Sequence, residues 1–344
     1  MARDTFGRRV DYLRVSITDR CNLRCVYCMP NGGVAWKDRS ELLTFEEIER
    51  FVALAASEGI SKIRLTGGEP LARKGVVDLA RRLHSIPGIE SLALTTNGTL
   101  LPSLASELVA SGIERVNISL VSLDRAIYSR ATRGGRVEDA LAGIDAALAA
   151  GMSPVKINVV IMRSLHQDPL DFARLTLARP LHVRFIEYMP LGSDDGCGGT
   201  SGEIRETAGD WTRADRIPSD EIIARLTTDG VAAGLGPLEP VERDEGPPGW
   251  GPAQYFHFKG AQGTLGVISP LSHMFCSDCN RLRLTADGQL RTCLFSDDEL
   301  DARRVLRHGT ESELRALVVA AVSAKPESHN MQIGTLRWMS QVGG

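Results

Sequence analysis

The sequence predicts an α/β fold, six βα units around a parallel sheet, followed by a C-terminal extension containing additional β-strands. From residue 11 to about 190, short β-branched runs alternate with longer amphipathic stretches, the pattern of repeated βα units. Beyond residue 252, short strand-like runs follow one another with a turn pair between the last two. Six such units can form an open doubly wound sheet or an incomplete (βα)6 barrel of TIM type, and both place chemistry at the C-terminal ends of the strands. Periodicity alone does not separate the two.

The six strands are DYLRVSIT near 11–18, KIRLTG near 62–67, SLALTTN near 91–97, RVNISL near 115–120, VKINVVI near 155–161 and VRFIEYM near 183–189. Thr44 with Glu47 makes a capping box for a helix reaching about 57, and VEDALAGIDAALAAG spells a helix that stops at Gly151. Further helices are expected near 74–84, 101–111 and 169–178. Residues 190–218 and 230–252 are rich in Gly with Asp, Ser or Pro and read as loops around a short helix near 219–228. Strands follow near 254–259, 264–269, 281–286 and 289–293, the last two joined by Asp287-Gly288, and then a helix near 311–323. The division expected is a core over 1–218 and a C-terminal region over 219–344.

A chain of 344 residues that is 43% apolar can bury a large core. Forty basic against forty-three acidic residues leave a formal charge of −3, so no nucleic-acid footprint is expected and any polyanion site must be local. No stretch has the length and apolarity to cross a bilayer and the N-terminus has no apolar leader, so a cytoplasmic, non-membrane protein is expected.

Seven cysteines, an odd count in a long chain without a secretory signal, argue for metal binding or catalysis rather than disulfides. Cys21, Cys25 and Cys28 crowd into the loop after the first strand, Cys276, Cys279 and Cys293 sit in the C-terminal segment, and Cys197 stands alone. Three thiolates favour an iron–sulfur cluster, zinc or Cu(I), and three cysteines on a four-iron cube leave one iron open for an exogenous ligand. A structural zinc site is the alternative at each trio; at the second, His273 would complete a Cys3His set. Asn280-Arg281-Leu282-Arg283 then puts two guanidinium groups on one strand face beside the second trio, as suits a phosphate.

The run ITDRCNLRCVYCMP, followed by GGEP from Gly67 to Pro70, resembles the signatures of the radical S-adenosylmethionine superfamily. CSDCNRLRLTADGQLRTC resembles the C-terminal motif of the GTP 3′,8-cyclases, the family that begins molybdenum-cofactor biosynthesis, and the likeness runs from Arg14 to the terminal glycines. It implies the incomplete (βα)6 barrel, and two [4Fe-4S] clusters on Cys21, Cys25 and Cys28 and on Cys276, Cys279 and Cys293. It implies S-adenosylmethionine contacts at Tyr27, Gly68, Ser119 and Met189, and GTP contacts at Arg14, Arg64, Thr95, Lys156, Arg281 and Arg283. Arg14, Gly343 and Gly344 match positions that assist the radical step. Further implications are an external electron donor, flavodoxin-like or another reductant, a downstream cyclic pyranopterin monophosphate synthase, and a homodimer.

One departure stands out: where the family continues Ser-Leu-Asp-Ser-Leu, this chain has Val121, which removes a carboxylate from a strand end expected to face the active-site rim. A radical peptide maturase with auxiliary clusters and a non-catalytic zinc or iron–sulfur scaffold are the alternative functions. The first usually needs more C-terminal cysteines than these three and lacks the NRLR element. The second would carry zinc rather than about eight irons per chain.

Overall fold

A computed structural model describes residues 2–189, 191, 213–242, 244–329 and 335–343. Pro190, Gly192, Cys197 and Gly344 lie outside the described residues, as does most of the loop expected over 190–218.

The six expected strands are β1 (Tyr12–Ser16), β2 (Lys62–Thr66), β3 (Ser91–Thr96), β4 (Ile113–Ser119), β5 (Val155–Ile161) and β6 (Leu181–Glu187), paired in parallel in chain order. The C-terminal segment adds β7 (Leu238–Val241), β8 (Gln254–Phe258), β9 (Thr264–Ile268), β10 (Arg281–Leu284), β11 (Gln289–Arg291) and β12 (Glu299–Asp301). Its strands continue the same sheet at both edges. β9 joins β6 in parallel and carries β8 and β7 antiparallel, while β10 joins β1 in parallel and carries β11 and β12. The result is an incomplete barrel whose two flanks are both C-terminal.

Alternation along the strands separates two environments. Leu13 and Val15 on β1, Ile63 and Leu65 on β2, Val116 and Ile118 on β4, and Ile157 and Val159 on β5 are fully buried in the apolar core. They meet Ile48, Phe51, Val52 and Ala55 of the Phe45–Ser57 helix, Leu79 and Leu83 of Val76–His84, and Ile144 and Ala147 of Val137–Ala149. Each Val, Leu, Ile or Phe among them contributes roughly 1.5–3 kcal/mol by leaving water. The intervening positions face the barrel interior and are polar: Arg14, Arg64, Asn117, Ser119, Lys156, Asn158 and Arg184.

Local signals set the helix ends. The Thr44 hydroxyl accepts from the Glu47 N–H while the Glu47 carboxylate accepts from the Thr44 N–H, and Thr310 with Glu313 repeats the device ahead of Glu311–Ser323. Asp287-Gly288 makes the expected turn between β10 and β11, with Gly288 at φ +79°.

Val121 does not face the rim. Its side chain is buried in the apolar core, and its carbonyl accepts a 2.6 Å hydrogen bond from the Gln167 amide. A charged residue at this position would need a different exit from the strand, so the apolar substitution is matched to its surroundings.

Candidate functional site at the barrel interior

The first cysteine loop is seated by two other motifs. Gly68 N–H donates to the Thr18 carbonyl at 2.8 Å and Glu69 N–H to the Arg20 carbonyl at 2.8 Å. A Cβ on Gly68 would stand 2.3 Å from the Arg20 oxygen, so only glycine lets the chain after β2 lie this close to the cysteine loop. The Glu69 carboxylate is fully buried and accepts from Thr96 Oγ1 at 2.7 Å, Asn97 N–H at 2.7 Å and Leu71 N–H at 3.0 Å. Burial pushes its pKa up to about 7 against the pull of these donors. Asn97 then donates to Asn22 Oδ1 at 2.7 Å, between the first two cysteines. GGEP and the Thr96-Asn97-Gly98 turn after β3 thus form one hydrogen-bonded brace beside the cysteine loop.

The three sulfurs are close enough that each disfavours ionisation of the next. Burial and then Cys21 push Cys25 up to about 12, and burial with Cys25 and Cys21 pushes Cys28 well up. Thiolates held together against burial and mutual repulsion need a cationic centre to bind.

The second trio has a different setting. Cys276 opens a 3-10 turn before β10, Cys279 ends it, and Cys293 follows β11. Burial opposes ionisation of Cys279, but Arg281 and Lys325 outweigh it and bring the thiol down to about 7. His273 does not complete this set: its Nε2 pairs with both carboxylate oxygens of Asp220, at 2.9 and 3.0 Å. Among the described residues no three His, Cys, Asp or Glu side chains converge on one metal-ion position. The donors present fit iron–sulfur clusters, with three soft sulfurs per site and an open iron at each.

A cavity of about 260 Å³ joins the two trios, with Cys28 on one wall and Cys276, Cys279 and Cys293 on another. Arg14, Arg64, Thr95, Lys156, Arg281 and Arg283 line it, as do Tyr27, Ser119 and Met189. Gly68 lies beside the cysteine loop rather than on the cavity wall. Gly343 is buried between β1 and β2, where a Cβ would meet Thr66 Cγ2 at 2.8 Å, and its carbonyl accepts from Arg283 at 3.0 Å.

Strand register explains the electrostatics. Arg14 stands between Arg283 of β10 and Arg64 of β2, and Arg64 is followed across the sheet by Ala93 and Arg115. At a strand spacing of roughly 4.8 Å, charges keeping that separation repel by about 3 kcal/mol per pair at an effective dielectric near 20. Among the described residues the cavity wall carries no Asp or Glu. Burial, with Arg64 and Arg281 adding to it, lowers Arg14 to about 10; burial, then Arg184, Arg64 and Arg115, lowers Lys156 to about 6. Thr95 Oγ1 and Arg281 Nε are buried without a hydrogen-bond partner. This interior is built for a polyanion with several acceptor oxygens.

Sequence reasoning missed four parts of the wall. Arg115 and Arg184 are cations on interior-facing positions of β4 and β6, the same placement that singled out Arg14 and Arg64. Tyr12 Oη accepts from Arg64 Nε at 2.6 Å, and Trp250 lies edge-on to Tyr12 at 5.0 Å with Arg64 and Arg115 over its ring. Lys156 is held by the Pro248 carbonyl at 2.8 Å. The 248–252 segment was legible only as a Gly- and Pro-rich loop, with no local signal that it closes the barrel.

A half-open parallel barrel with a three-cysteine loop after its first strand, braced by GGEP, defines a radical S-adenosylmethionine protein, and residues 15–176 match the Radical SAM superfamily. Residues 181–331 match the family Molybdenum Cofactor Synthesis C. The GTP 3′,8-cyclase of Pelotomaculum thermopropionicum is 48% identical over 99% of this chain and 100% of its own length. That of Moorella thermoacetica is 49% identical over 99% and 100%. The chain belongs to the GTP 3′,8-cyclase family. Streptococcus suis SuiB bound to S-adenosylmethionine shares the fold, with a TM-score of 0.58 at 13% identity over 94% of this chain and 72% of that one.

Proposed function

We propose that this chain converts GTP to (8S)-3′,8-cyclo-7,8-dihydroguanosine 5′-triphosphate, the first step of molybdenum-cofactor biosynthesis. The observation that carries the reading is the cation-lined cavity stretched between two cysteine trios, with no carboxylate on its wall among the described residues. When bound, S-adenosylmethionine and the first cluster supply one-electron chemistry, reductive cleavage of the sulfonium and removal of hydrogen from C3′ of GTP.

The chain's own residues bind, orient and exclude water. Cys21, Cys25 and Cys28 hold one cluster and Cys276, Cys279 and Cys293 the other. Tyr27, Gly68, Ser119 and Met189 hold S-adenosylmethionine. Arg283, Arg14 and Arg64, neighbours in the ladder, grip the triphosphate with their planar forks. Arg281 and Thr95 offer buried donors that have no protein partner, and Lys156 adds a charge that an anion would restore. Arg14, Gly343 and Gly344 assist the radical step that joins C3′ to C8. Residues 1–218 serve as the core and 219–344 as the region carrying the second cluster and the GTP site.

Among the described residues no helix is long and apolar enough to cross a membrane. A cytoplasmic location, an external reductant of flavodoxin or other type, a homodimer and hand-over to cyclic pyranopterin monophosphate synthase belong to the same reading. The deciding experiment is anaerobic reconstitution, then incubation with GTP, S-adenosylmethionine and a strong reductant. Formation of 5′-deoxyadenosine that requires GTP is expected; equal formation with any nucleotide, or none, overturns the proposal.

A further inference from the structure

Lys325 follows the Glu311–Ser323 helix and is 3% exposed. Its ammonium donates to the Arg281 carbonyl at 2.9 Å and to the Thr292 carbonyl at 2.9 Å, and it also hydrogen-bonds the Cys279 sulfur. Three N–H donors therefore meet three acceptors. All three belong to the second cysteine site: Cys279 itself, a carbonyl two residues beyond it, and the carbonyl just before Cys293. The electrostatic partners of this buried charge are Cys279 and Cys293, with Arg8 opposing. Arg8 fixes the same segment from the other side, donating to the Pro326 carbonyl at 2.6 Å, to that of Glu327 at 2.9 Å and to that of Cys276 at 2.7 Å.

The first trio is set differently. Its sulfurs receive the Leu23 N–H at 3.4 Å and the Asn97 amide at 3.9 Å, and Tyr27 hydrogen-bonds Cys25. These donors are neutral; the cations near this trio, Arg24 and Arg133, act on Cys21 and Cys25 through space. A cation bonded to a cluster ligand inside the protein favours the more negative, reduced state, since hydrogen bonds to sulfur and net charge are what set such potentials.

We infer that Lys325 is a positioning residue of the second cluster: it fixes Cys279 and Cys293 relative to each other and holds that cluster's reduction potential above the value the same trio would give beside a neutral side chain. This rests on the two-cluster reading above. The role is separate from GTP binding, because the Lys325 donors are used on the protein.

The test is a redox titration followed by electron paramagnetic resonance, with iron counted per chain, on the full chain and on Lys325→Met, Lys325→Gln and Lys325→Arg. Lys325→Met is expected to keep both clusters and to shift the second cluster's midpoint to more negative potential, with the first cluster's midpoint unmoved. Lys325→Arg should stay close to the parent. An unshifted midpoint in Lys325→Met, or an equal shift in Lys325→Arg, overturns the inference. Should the Met variant fail to assemble the second cluster, Lys325→Gln is judged by the same shift. Assembly in Lys325→Arg but in neither neutral variant supports the charge requirement, and failure in all three overturns it. Absence of a second cluster from the parent chain would instead refute the two-cluster reading.

Discussion

The carbonyl of Gly343 accepts a 3.0 Å hydrogen bond from the Arg283 guanidinium, so the chain's tail is tied to the cationic row of the barrel. Gly343 sits at φ +78°, and a Cβ there would stand 2.8 Å from Thr66 and 3.1 Å from Ser16. Gly343→Ala meets both a left-handed backbone and a closed wall, a cost of about 1–3 kcal/mol. Carried into the reacting complex, a cost of that size lowers product formation by roughly 5- to 150-fold, with cyclised nucleotide reduced more than 5′-deoxyadenosine. The ratio of the two products is the measurement, and an unchanged ratio sinks the role given to the tail.

Arg281→Ala should weaken GTP binding and spare S-adenosylmethionine cleavage. Loss of a charge-assisted hydrogen bond costs about 1.5–3 kcal/mol, or roughly 10- to 100-fold in Kd. Equilibrium dialysis with GTP reads the first effect and uncoupled 5′-deoxyadenosine release the second.

Lys156 supplies a pH-dependent prediction with a defined sign. Its folded value, about 6, lies below the ordinary lysine value of 10.5, so between these limits the unfolded chain binds a proton that the folded, ligand-free chain does not. Stability of the ligand-free protein therefore rises with pH across this window, by at most about 1.4 kcal/mol per pH unit from this group. Lys156→Met should raise the ligand-free Tm, with the gap widest near pH 6 and closing toward pH 10, while GTP affinity drops. A gap that does not change with pH counts against a buried, uncompensated amine.

Glu69→Gln probes the brace beside the first cysteine loop. The carboxylate accepts from three donors; an amide presents N–H to at least one of them and leaves it unsatisfied, at about 1–3 kcal/mol. Lower Tm and fewer irons per chain after reconstitution are expected, with the second cluster retained. Full iron content in this variant would show that the cysteine loop holds itself.

The parallel core was legible because its signals are local. Alternating β-branched strands, the Thr44 helix start and the Asp287-Gly288 turn all lie within a few residues of what they specify. Pairing of β9 with β6 and β10 with β1 was not legible, since register across more than 70 residues is decided by packing. β7 and β12 escaped because they are short edge strands, and Pro240 inside β7 weakens its pattern. In the site, cysteine spacing and arginines on alternate strand positions carried the reading. Applied to β4 and β6, the same alternation would have found Arg115 and Arg184. Tyr12 and Trp250 would not have been found, because a loop folded back over a barrel mouth leaves no periodic trace.

Because the C-terminal segment supplies the outer neighbours of both β1 and β6, synthesis on the ribosome exposes two bare parallel strands until the last third of the chain emerges. Truncation before Thr264 would leave both lateral margins unpaired and sticky rather than yield a smaller working barrel. Pairing of β9 and β10 covers both margins at once, and the same late event brings the Cys276, Cys279 and Cys293 wall to the cavity.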